Sequence, residues 1–280
     1  MTYRSLLVLL DNDARCAERT RVSIGLARAL DAHLVGLAAT GRIPWPVSVD
    51  GAAMLDQFAG MAWAALHGQA QQAARQFADA CGDARLHSAE TVVVEEDKAV
   101  ALVRHAHCSD LVVVGQPDPD RADCLLQRDT VESVVLHSAR PTLIVPYAGQ
   151  FGTIGQRVMV AWDDSREAAR AVADALPLLR RAEQVQVVAW QEGSLEGSAP
   201  LAERLGTLRQ WLAWHGVAAE TSVETSGIAI AEAMLSRAAD LDADMLVMGA
   251  YGHMRWTERM LGGATRGLLD AMTVPVLMAH

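Results

Sequence analysis

The chain is short of cysteine, has no long uncharged apolar run and carries no block of basic residues, and each shortage removes a class of function. Its four cysteines, Cys16, Cys81, Cys108 and Cys124, contain no CxxC pair and all lie in the first half, so neither a disulfide framework nor a zinc finger is expected. The densest group of metal-type side chains is His105-Ala106-His107-Cys108. On a helix, residues two apart point to different sides, whereas metal ligands must converge; we read these residues as structural and expect no metal there. No apolar stretch approaches the roughly 18 residues of a membrane-spanning helix. A secretory leader would need an apolar core near the start, but Leu6–Leu10 is followed at once by Asp11, Asp13 and Arg15, which argues for a cytoplasmic protein. The formal net charge of −10 opposes the counterion release that drives binding to DNA or RNA, so nucleic acid is not an expected partner, and neither is a membrane.

What is present is apolar material enough for two cores. With 280 residues, 51% hydrophobic and 21% charged, the chain is expected to form two domains of about 140 residues rather than a disordered polymer.

The sequence repeats itself. DLVVVGQPD from Asp110 and DMLVMGAYG from Asp244 share an acid, a strand-type run and a glycine at an offset of 134, and the same offset places Pro141 on Pro275 without a gap. SLLVLLDND, ending at Asp13, parallels RVMVAWDDS, ending at Ser165. Between these anchors the apolar periodicity alternates between strand and helix. In the first half it predicts helices over about Ala14–Leu30, Ala59–Ala80 and Asp97–His107 and strands over His33–Ala38, Glu90–Glu95 and Leu111–Val114. The second half repeats these as helices Arg166–Leu179, Leu201–Trp214 and Ala229–Asp240 and strands Val185–Trp190, Glu220–Glu224 and Met245–Met248. Each half reads βαβαβαβαβ, which implies right-handed parallel crossovers and a doubly wound open sheet. Pro146–Gln156, with one proline and three glycines, suits a linker. The expected domains are 1–147 and 155–280.

Ligands of open parallel sheets bind outside the carboxyl ends of the strands, which directs attention to the loop after Met248. It reads GAYGHMRWTERMLGGAT, spacing Gly249, Gly252 and Gly262 as G-x2-G-x9-G before a helix expected over Thr265–Met272. Glycine lets backbone approach a ribose or phosphate closely and take positive φ, and a helix start offers free N–H groups to an anion. Thr265 can cap that helix or reach a phosphate oxygen. His253, Arg255 and Arg259 can neutralise phosphate or remain solvated loop charges, and Trp256 is read as a packing residue. In the first half the offset of 134 puts Asp118 on Gly252, Arg128 on Gly262 and Asp129 on Gly263, and only Gly115 survives; that copy is read as degenerate.

The strand, G-x2-G-x9-G, helix and VPVL final strand resemble the universal stress protein family, and the resemblance extends over both halves as a tandem member. It implies two Rossmann-like domains of the adenine nucleotide alpha hydrolase-like type. It also implies binding of ATP, or ADP or AMP, in the second domain. Magnesium can join such a site through the phosphate oxygens; the adjacent acids Asp163 and Asp164 could share it only with a turn after Asp163, because neighbours on a strand end point to opposite sides. Carried over by position, Asp163 would face the adenine, Ala189 would offer backbone contacts, and Gly249, Gly252, His253, Gly262, Gly263, Ala264 and Thr265 would line the phosphates. The family continues with Ser or Thr after the third glycine; here that position is Gly263, which removes a hydroxyl and leaves backbone N–H groups. Asp163 has a second reading as a strand-end acid bonding the next turn. No P-loop, SGGxDS loop or G-x-S-x-G elbow occurs, so binding as a regulatory or sensing state in a stress response is expected rather than catalysis. A purely structural or partner-binding protein and a slow nucleotide hydrolase are the alternatives. The final strands Thr142–Val145 and Val274–Met278 are short and apolar, and their exposed edges invite pairing within one chain. The linker, eleven residues at ~3.6 Å each, is long enough for that, which gives an intramolecular pseudo-dimer and leaves a homodimer of whole chains open.

Overall fold

The computed structural model describes residues 2–42, 52–192, 199–252 and 263–280. The first half contains β1 (Ser5–Leu10), α1 (Cys16–Leu30), β2 (His33–Ala39), α2 (Ala52–Asp83), β3 (Ala89–Val94), α3 (Lys98–Ala106), β4 (Leu111–Gly115), α4 (Cys124–His137) and β5 (Thr142–Val145). The second contains β6 (Arg157–Ala161), α5 (Arg166–Leu179), β7 (Gln184–Glu192), α6 (Ala199–Trp214), β8 (Glu220–Ser226), α7 (Ile230–Asp240), β9 (Met245–Gly249), α8 (Gly263–Ala271) and β10 (Val276–Ala279). The alternation read from the periodicity is present in both halves, with ends moved by a few residues. The largest difference is α2, which begins at Ala52 rather than near Ala59.

All ten strands form one sheet of order β3-β2-β1-β4-β5-β10-β9-β6-β7-β8. Within each half every neighbouring pair is parallel. At the centre β5 and β10 run antiparallel, pairing Ile144 with Val276 and Thr142 with Met278. The two apolar strands therefore do not remain edges; each completes the hydrogen bonding of the other, as backbone groups buried away from water must be completed.

The alternation of side chains along each strand sends them to two apolar layers. In β1, Leu6, Val8 and Leu10 enter one layer with α1, α2, α5 and α6, while Leu7 and Leu9 enter the other with α3, α4, α7 and α8. Each layer runs across both halves, so the fold is doubly wound and shares its cores. Further bonds cross the centre: the Tyr3 hydroxyl donates to Asp174 O at 2.5 Å and Gln116 Nε2 to Leu269 O at 2.8 Å.

The repeated acids Asp110 and Asp244 have one structural task. Asp110 accepts the N–H groups of Arg4 and Ser5 at 2.7 and 3.0 Å. Asp244 accepts those of Gly155, Gln156 and Arg157 at 2.9, 3.0 and 3.1 Å. Each therefore fixes the start of the strand that leads to its half's carboxyl edge. The four cysteines are free thiols, and Cys108 is exposed rather than packed. Among the described residues no three His, Cys, Asp or Glu side chains are placed to hold a metal, and no helix is long and apolar enough to cross a membrane.

Candidate functional site

The strand order of the second half reverses between β6 and β9, because β7 and β8 extend the sheet to one side of β6 while β9 and β10 extend it to the other. The carboxyl ends of β6 and β9 flank the crevice where a doubly wound sheet receives ligands. Three of the candidate residues stand there on adjacent strands. Asp163 follows Trp162, whose N–H bonds Val188 O at 2.9 Å; Ala189 is fully buried on β7; Gly249 ends β9 opposite Ala279.

Asp163 is exposed, and one carboxylate oxygen accepts the Ser165 N–H at 3.1 Å and its hydroxyl at 2.6 Å. Ser165 in turn caps α5 by accepting the Ala168 N–H at 3.1 Å, so the strand-end acid organises the turn into the helix. Asp164 adopts the left-handed conformation, φ 59°, and both its oxygens are engaged by Arg204 at 3.0 Å. The turn after Asp163 thus exists, but the second acid of the pair already has its counter-charge.

Gly249 and Gly252 are small for a reason that the sequence alone concealed. Neither belongs to the glycines with positive φ. A Cβ on Gly249 would lie 2.5 Å from Ala168 N, and one on Gly252 would lie 2.6 Å from a Glu167 carboxylate oxygen. Their first task is to let the start of α5 come against the loop. Glu167 is the site residue that sequence reasoning missed: it is 3% exposed and is ion-paired with Arg166. Burial pushes its pKa up, but the Arg166 hydrogen bond and a backbone N–H outweigh that and hold it below the usual carboxylate range. A buried Glu beside an exposed Arg on a helix start carries no signal in a single sequence.

Tyr251, between the two glycines, has φ 59° and donates its N–H to the Thr265 hydroxyl at 3.3 Å. Thr265 is buried, so this hydroxyl ties the loop to α8. The described part of α8 runs from Gly263 and includes Thr265, and among the described residues a Cβ on Gly263 would meet nothing within 4 Å. A cavity of about 310 Å³ beside Gly263 and Ala264 is lined also by Ile230, Leu235 and Gly267; it lies between α7 and α8 and does not reach Asp163. His253 and Gly262, with Arg255, Trp256 and Arg259, lie outside the described residues.

A parallel sheet wound on both faces by helices, with its crevice at the carboxyl edge and the arrangement present twice, defines a tandem Rossmann-like protein. The sequence model of the universal stress protein family matches residues 155–280. Over its whole length the chain has the fold of a universal stress protein from Archaeoglobus fulgidus, with a TM-score of 0.72 at 17% identity, covering 99% of this chain and 96% of that one. A functionally unknown protein from Pseudomonas aeruginosa is similar in the same way, with a TM-score of 0.62, 16% identity and coverage of 99% and 92%. Curated proteins gave no match. The second half of the chain matches the universal stress protein family, and over its whole length the chain shares the two-domain fold of these solved structures.

Proposed function

We propose that the second domain, residues 155–280, binds ATP or a related adenine nucleotide, ADP or AMP, at the carboxyl edge between β6 and β9, and that the bound state serves regulation or sensing in a stress response. The observation that carries this reading is the convergence of Asp163, Ala189 and Gly249 on three neighbouring strand ends. The adenine belongs over Asp163 and Ala189, and the phosphates belong along the loop toward Gly263, Ala264 and Thr265, where free backbone N–H groups and the helix dipole favour an anion. Gly252, His253 and Gly262 complete the loop in this reading. Magnesium enters only with the phosphates, since Arg204 already holds Asp164. The protein acts in the cytoplasm and binds without turnover. The first domain, residues 1–147, does not take the nucleotide, because Asp118, Arg128 and Asp129 stand where the second has glycines.

Titration calorimetry of the full chain with ATP tests this reading. One site per chain is expected. Gly252→Asp should abolish it, since the new side chain starts 2.6 Å from Glu167 and adds a carboxylate beside the phosphates. Two equivalent sites, or unchanged affinity in the variant, would exclude the proposal.

A further inference from the structure

The half without the glycine loop also has a cavity at its carboxyl edge. At the carboxyl edge of β1, β2 and β4 lies a cavity of about 330 Å³, bordered by Leu9, Thr40, Lys98, Val114, Gln127 and Ser133. This size is at the lower end for small-molecule pockets, ~300–1,000 Å³. It stands at the first half's own switch point, between β1 and β4.

Its charges are mostly satisfied within the wall. Arg19, 2% exposed, donates to Leu9 O at 2.8 Å and to Asp11 at 2.7 Å, and it lies where a Cβ on Gly115 would be, 2.5 Å from its Nη1. Arg42 pairs with Asp97 at 2.9 Å, and Asp97 also caps α3 through the Ala99 and Val100 N–H groups at 3.0 and 3.3 Å. Asp123 is taken by Arg121 at 2.8 Å. Arg128 turns away to Asp270 of the other half.

One cation remains. Lys98, the only lysine in the chain, borders the cavity and forms no hydrogen bond or ion pair among the described residues. Its ammonium acts on Asp11 and Asp123 from a distance, helping to keep both carboxylates ionised, and its three N–H donors remain for oxygen acceptors on a ligand. At the α4 end, Asp123 and Asp129 border the cavity, Asp129 at the position that aligns with Gly263, so a phosphate tail placed as in the second half would run past them. Repulsion between like charges in a partly enclosed site excludes that tail.

We propose that this cavity is a second ligand site, which takes an uncharged, oxygen-bearing ring compound of nucleoside size and rejects its phosphorylated form. Leu9 and Val114 supply apolar contact, Lys98 grips a ligand oxygen, and the carboxylates set the discrimination. The site is independent of the second-half nucleotide, and that reading supplies only the choice of probe, adenosine against ATP.

Because the chain has one lysine, reductive methylation of the intact protein can alter only Lys98 and the terminal amine, and mass spectrometry separates the two. Adenosine at ~10 times its dissociation constant should slow methylation of Lys98 about tenfold, because only about a tenth of the sites stay free. ATP should leave the rate unchanged. No protection by adenosine, or equal protection by ATP, overturns the proposal whether or not ATP binds the second half. A Ser133→Trp substitution that fills the cavity should remove adenosine binding in a Gly252→Asp background; retained binding in a folded variant also overturns it, and if the variant does not fold the labelling result decides.

Discussion

Arg19 and Asp11 form the most deeply buried ion pair of the described residues, with side-chain exposures of 3% and 14%. Such a pair contributes little net stability when intact, but removing one partner leaves an uncompensated buried charge and costs ~3–5 kcal/mol. Asp11→Asn should therefore destabilise the protein by about that amount at pH 7, read from urea unfolding. The sign of the pH dependence follows from the carboxyl. Burial raises its pKa, but Arg19 and Lys98 lower it by more, so the folded value is depressed. Its stabilisation is complete above the unfolded pKa, about 3.9, and is lost as the pH falls through the folded value. The gap between wild type and variant should shrink at the acid end; a gap independent of pH would show that Asp11 does not titrate with folding. This pair was not legible in the sequence. Asp11 stands out at the end of an apolar strand, but which face of α1 Arg19 lies on depends on the helix phase, and in the second half the corresponding position is Ala171. Glu167 was hidden for the same reason. The repeated acids Asp110 and Asp244 were visible as a pattern, yet their task as clamps on a strand start appears only when the neighbouring N–H groups are seen around them.

Elements were more legible than residues, because a period of two or of 3.6 accumulates over a segment while a contact depends on one side chain. The strand Thr142–Val145 and the helix Arg166–Leu179 have the bounds that the pattern predicts. What no local pattern carries is the use of the degenerate loop. Arg128, which replaces a loop glycine, reaches Asp270 on α8, and the two side chains are 17% and 47% exposed. Tyr251, from the opposite loop, comes near Glu132 and Arg128, and burial with the Glu132 charge raises its hydroxyl pKa well above that of a free tyrosine. The lost glycine has thus been turned to fastening the halves. Arg128→Ala and Asp270→Ala, singly and together, should give a coupling free energy of about 0.5–1 kcal/mol in a double-mutant cycle on urea unfolding, the range for a partly exposed pair. Additive effects would mean that this contact does not hold the halves.

On the scale of the whole molecule the repeat was fully legible, and the pairing of the final strands followed from it, since two unsatisfied apolar edges on one chain with a long linker have each other as the nearest partner. The consequence is thermodynamic. Both apolar layers extend through β5 and β10 into the opposite half, so the halves are continuous in packing, and heating should unfold the native chain in one cooperative transition. Val276 is the residue to break this, being fully buried between Ile144 of the first half and Leu246 of the second. Val276→Lys places an ammonium in that layer with no carboxylate opposite, and an unpaired charge in an apolar interior is avoided by separating the surfaces that bury it. The sheet should part at β5 and β10, each half keeping its four other strands. Scanning calorimetry should then resolve two transitions in place of one, and proteolysis should cut first within the linker segment Pro146–Gln156. A variant that unfolds in one transition at the wild-type temperature would show that the central strand pair does not hold the two halves together.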